Sequence, residues 1–113
     1  MATPLISRRF ASPRHTTQYL ECGPSDGPLL IFLHGWPELG LIWRAQMNAF
    51  AQRGWHCIAP DMRGYGGSSA PDATSAYANA HVVDDMAELH DHLGGKPAIW
   101  VGMIGAALSQ VRL

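Results

Sequence analysis

Apolar residues along the chain fall into short unbroken runs and longer periodic stretches. Leu29-Leu30-Ile31-Phe32-Leu33 is apolar without alternation, which predicts a strand covered on both faces, as in a parallel sheet between helices. A second such run covers residues 55–59 and closes at Pro60-Asp61, and a third covers 97–101. Over residues 41–53, Trp43, Met47 and Phe50 recur at helical spacing, and Gly54 stands at a helix stop. Over 77–93, Val82, Val83, Met86, Leu89 and Leu93 form the stripe of an amphipathic helix that Gly94-Gly95 terminate. Residues 16–22 read as a further strand, and 23–28 are dense in turn formers. Strands alternating with helices predict parallel βαβ units, with helices on both faces of the sheet and strands 29–33 and 98–101 at its centre. Ligands of such sheets bind at the carboxyl ends of the strands, here around residue 34 and after Val101.

Composition narrows this picture. A chain of 113 residues supports one domain and one core. With 47% hydrophobic and 15% charged residues it is globular rather than disordered. A net charge of -1 with scattered basic residues predicts neither a nucleic-acid partner nor an anionic membrane surface. The residues before 16 lack the apolar stretch of a signal peptide, and no run approaches the roughly 18 residues of a membrane span, so a cytoplasmic protein is expected. Cys22 and Cys57 make neither a disulfide framework nor a zinc spacing and read as reduced small apolar residues.

His34-Gly35-Trp36-Pro37-Glu38 carries the most chemistry. It follows a buried strand and precedes a helix, where backbone N–H groups can be aimed into the strand-end crevice, and Gly35 admits a close ligand. Such N–H groups make an oxyanion hole. An HG pair alone reads as an ordinary strand–helix connection. Three further matches follow it in order: Trp43-Arg44, then Ala59-Pro60-Asp61-Met62-Arg63-Gly64-Tyr65-Gly66-Gly67-Ser68-Ser69, then Val101-Gly102. Together they resemble the α/β-hydrolase fold and, within it, the epoxide hydrolases, which read HGxPE, WR, PDxRGYGxS and VGHDWG. Haloalkane dehalogenases are similar in these motifs. The resemblance covers residues 16–102 and implies a mostly parallel sheet with an antiparallel N-terminal edge.

The resemblance also implies a two-step reaction. An aspartate on a strand-to-helix elbow opens an epoxide and forms an ester, and a histidine oriented by an acid activates the water that hydrolyses it. The oxyanion-hole loop would be His34, Gly35, Trp36 and Pro37, with His34 in support rather than as the base. The parent's substrate is a small apolar epoxide, and no cofactor or metal is implied.

The sequence departs from the family at the elbow. Gly102-Met103-Ile104-Gly105 stands where Gly-His-Asp-Trp-Gly belongs, one residue short and without the aspartate. Ser109 is the only later nucleophile type, and Leu108-Ser109-Gln110 lacks elbow glycines. The acid and the histidine follow the nucleophile in this fold, and neither they nor a lid occur in these 113 residues. The expectation is an incomplete α/β-hydrolase domain, motif-bearing over 16–102 and aberrant over 103–113, inactive by itself and prone to self-association through an open sheet edge. A non-catalytic binding or regulatory domain is the other reading. Deleting one base from the elbow's glycine codon turns Gly-His-Asp-Trp-Gly into Gly-Met-Ile-Gly, which predicts a frameshift. Of the other titratable residues, Asp61 and Arg63 are expected to shape their loop. His81, Asp84, Asp85, Glu88 and His92 are expected on a solvated helix face.

Overall fold

The structure, a computed structural model, describes residues 4–34, 39–71, 75 and 79–102. Strand β1 is Ile6–Ala11, β2 Thr16–Cys22 and β3 Leu29–Leu33. A short 3-10 helix, Gly40–Trp43, leads into α1, Arg44–Ala51. Strand β4 is His56–Pro60, helix α2 Asn79–His92 and β5 Ala98–Gly102. They form a sheet in the order β1-β2-β4-β3-β5. Strands β4, β3 and β5 are mutually parallel, while β1 and β2 add an antiparallel edge.

The unbroken apolar runs follow from this layering. In β3 every residue is buried, and alternate side chains serve opposite faces. Leu29, Ile31 and Leu33 join Tyr19, Ile58, Met86 and Leu89 on the α2 side. Leu30 and Phe32 join Cys22, Cys57, Ala59, Met47 and Ala51 on the α1 side. Helix α1 ends where Gly54 takes φ +94°, a left-handed conformation that a side chain would resist.

Three features differ from the sequence reading. The antiparallel N-terminal edge is as expected, but the position of β1 was not read from the sequence. Its residues are mostly exposed and carry Arg8 and Arg9, so no hydrophobic pattern marks it, and register with β2 makes it a strand. Strand β5 was expected at the centre, yet among the described residues it is paired only with β3 and lies at the edge. Its side chains are accordingly half-buried, and Ile99 is 53% exposed. The helix expected over 41–53 begins with the tighter 3-10 turn.

Candidate functional site

Because β3, β4 and β5 are parallel, their carboxyl ends share one edge of the sheet. His34 follows β3, Asp61 follows β4, and Gly102 closes β5 opposite Leu33. His34 is buried, and its ring meets Tyr65 edge-to-face at 4.9 Å. The backbone N–H of Met62 donates to His34 Nε2 at 2.9 Å. That nitrogen must therefore be unprotonated, which makes the neutral imidazole the Nδ1–H tautomer. A nitrogen already engaged in this way is a poor general base. The bond makes His34 a link between two strand ends.

The loop after β4 is built by Asp61. Its Oδ1 accepts the N–H of Gly40 at 2.9 Å and its Oδ2 that of Gly67 at 3.3 Å, so one carboxylate ties the start of the 3-10 helix to the glycine loop. Gly66 has φ +51°, and a Cβ there would meet Asp61 Oδ2 at 2.2 Å. Glycine is required on both counts. The far end of the loop is laced to β2: Ser69 N–H donates to Thr16 O at 2.9 Å, and Gln18 N–H to Ser68 Oγ at 2.9 Å. A recess of about 260 Å³ beside it is lined by Tyr19, Leu39, Leu41, Asp61 and Gly67, but not by His34.

Arg63, in the same loop, points at α2. Its Nε donates to Asp85 Oδ2 at 2.9 Å and its Nη2 to Asp85 Oδ1 at 2.8 Å, a forked pair with both residues buried. Arg14 adds a bond to Asp85 Oδ1 at 2.6 Å and another to Glu88 Oε2 at 2.8 Å. His15 Nε2 lies 3.5 Å from Asp85 Oδ2. Two arginines and two carboxylates balance only while His15 is neutral. Burial, with the two arginines adding to it against Asp85, holds His15 below its ordinary 6.5. The hydrogen bond from Arg14 likewise holds Glu88 below the usual carboxylate range.

Residues 28–103 match the family model described as the alpha/beta hydrolase fold. The chain belongs to the α/β-hydrolase fold family. Within it the chain is epoxide hydrolase-like. It is 46% identical over 83 residues to epoxide hydrolase A of Mycobacterium tuberculosis, covering 74% of this chain and 26% of that protein. It is 49% identical over 76 residues to an epoxide hydrolase of Caballeronia sordidicola, covering 67% of this chain and 23% of that one. The crystal structure of epoxide hydrolase A from Mycobacterium thermoresistibile superposes with a TM-score of 0.83 at 37% identity, covering 88% of this chain and 31% of the other. This α/β-hydrolase chain thus spans about a quarter of the length of the curated relatives it matches.

Of the site residues expected from sequence, His34 and Gly102 stand at adjacent strand ends of the hydrolase sheet. Gly35, Trp36 and Pro37, and Met103, Ile104 and Gly105, lie outside the described residues. Asp61 shapes its loop, as expected. The solvated-face reading holds for His81 and Asp84, which are exposed, and fails for Asp85, whose side chain is 0% exposed. Its position carried the signal. Residues 82, 85, 86 and 89 are spaced i, i+3, i+4 and i+7, so Asp85 sits within the apolar stripe. A carboxylate there needs a buried cation, and Arg63 is that cation. Glu88, bound to Arg14 and Ser12, is half-buried, and the exposed His92 stacks on Phe10 at 4.2 Å.

Proposed function

We propose that the chain carries the oxyanion side of an epoxide-hydrolase centre, whose complete form converts a small apolar epoxide to a diol through an aspartyl ester. The observation behind this is the buried His34 at the carboxyl end of β3, held by the post-β4 loop within a stretch so similar to epoxide hydrolases. In that reading the backbone N–H near Trp36, within the loop formed by His34, Gly35, Trp36 and Pro37, stabilises the oxyanion that develops as water attacks the ester carbonyl. An epoxide substrate is supported by what the relatives are named for, and the two free, buried thiols suit a reducing cytoplasm.

We propose further that the polypeptide is inactive by itself. Met103-Ile104 replaces the His-Asp of the elbow, so no carboxylate is available to open the ring. In a serine protease, removing the nucleophile costs on the order of a million-fold in turnover, and a comparable loss is expected here. A one-base loss in the codon of Gly102 accounts for Gly102-Met103-Ile104-Gly105, and residues 103–113 then form an aberrant tail on an incomplete domain. Self-association through the outer edge of β5 belongs to the same reading.

The test is to assay the 113-residue chain on styrene oxide beside a gene in which the base is restored. The chain should form no diol above background, and the restored gene should form it while releasing no halide from a bromoalkane. Diol formation by the chain that survives repurification overturns the inactive reading. A gene without His-Asp-Trp-Gly codons in the adjacent frame overturns the frameshift. Halide release in place of diol overturns the substrate class.

A further inference from the structure

The proposed reaction does not use Asp85, although this carboxylate is fully buried on α2 and accepts three arginine N–H groups. Arg63 follows Met62 directly, and the N–H of Met62 is the group that binds His34 Nε2. One buried ion pair and one backbone hydrogen bond therefore connect α2 to the end of β3. The fork matters because it constrains an angle as well as a distance. Two parallel N–H···O bonds at 2.9 and 2.8 Å fix the plane of the guanidinium, whereas an ammonium is a single point of charge free to swivel. A guanidinium held at both Nε and Nη2 limits where the Arg63 backbone can sit, and so limits the peptide of Met62 beside it.

We infer that Asp85 and Arg63 are a positioning pair for the His34 end of the oxyanion loop. They hold the Met62 N–H against Nε2 and thereby select the Nδ1–H tautomer of His34. The opposing view is that the pair serves stability alone. The arrangement of bonds favours positioning. Asp85 already has a cationic partner in Arg14, and the forked bond that Arg63 adds comes from the loop that touches His34. The consequence for catalysis rests on the proposed function, but the link between α2 and His34 does not.

The experiment reads the link directly. In the uniformly 15N-labelled chain, ring nitrogen shifts give the tautomer of His34, and hydrogen exchange gives the protection of the Met62 amide. The wild type should show one tautomer with Nε2 unprotonated and a slowly exchanging Met62 amide. An Nε2–H tautomer in the wild type overturns the proposal without any variant. Arg63→Lys, which keeps the charge and loses the fork, should speed exchange at Met62 by roughly tenfold or more and mix the two tautomers, while Ile58 in β4 stays protected. Arg63→Met combined with Asp85→Leu removes the ion pair with little loss of stability and should do the same. Asp84→Asn, one position away on the exposed face, should change neither signal. If the double variant is folded and keeps both the tautomer and the Met62 protection, the pair is structural only and the inference is wrong. If the link holds while the restored gene makes no diol, only the functional reading falls.

Discussion

On the α1 side of the sheet, Leu30 and Phe32 meet Met47 and Ala51, and that layer holds the thiols of Cys22 and Cys57 and the indole of Trp43 but no charged group. On the α2 side, Leu29, Ile31 and Leu33 meet Met86 and Leu89, and a carboxylate with two arginines and a histidine is set into the rim of that layer. Apolar packing alone is enough to seat a helix of eight residues. Where the helix must also fix a loop that reaches a strand end, directional bonds appear, because apolar contact does not specify orientation. The two faces are thus similar in burial and different in what they specify.

The largest effect that separates them should come from Asp85→Ala. It removes the carboxylate that accepts both bonds of the Arg63 fork and should cost about 3–5 kcal/mol in urea unfolding. Replacing the pair by Arg63→Met and Asp85→Leu should recover most of that loss, which would show that the penalty comes from breaking the pair rather than from lacking it. On the other face, Met47→Ala should cost roughly 2–5 kcal/mol through the cavity it leaves, since Met47 is fully buried. That loss should be the same at every pH. An Asp85→Ala loss below 1 kcal/mol, about the worth of an exposed ion pair, would erase the distinction between the faces.

Acid should distinguish them next. His15 is held below 6.5 in the folded chain, so as pH falls past 6.5 the unfolded state takes up the proton first. Stability is therefore full above that pH and declines below it, until the folded histidine also protonates. Unfolding midpoints measured from pH 8 to pH 5 should fall in the wild type and fall less in His15→Gln, with the α1 side contributing nothing to the slope. A slope unchanged in His15→Gln would remove His15 from the account.

Two smaller effects complete the comparison. Burial pushes the Cys57 thiol up to about 12, so a disulfide reagent at pH 8 should label it only on unfolding, and fast labelling of the native chain would mean that the α1 side opens. On the outer edge of β5, Ile99→Lys should reduce self-association seen by light scattering without moving the unfolding midpoint. If the wild type is monomeric at all concentrations, edge pairing is absent.

The covered strands were legible because burial on both faces leaves an unmistakable run, and α2 because its stripe is regular. The edges were not. Strand β1 has no pattern to read, since pairing partners rather than burial define it. The apolar run of β5 resembles that of β3, although among the described residues the strand has a neighbour on one side only. Asp61 was legible from its place between a strand end and a glycine loop. Asp85 was misread because its charge was weighed and its phase on the helix was not. The buried partner that resolves it, Arg63, lies 22 residues away.

The bond between Arg14 and Asp85 joins positions 71 apart in the chain. Synthesis proceeds from the N-terminus, so the β1–β2 hairpin is complete long before the helix that will anchor it exists. Until α2 emerges, Arg14 and Arg63 lack the acceptor they share in the folded chain. Closing that contact is a late, non-local step in assembly. Asp85 thus ties the turn between β1 and β2, through Arg14, to a helix made much later.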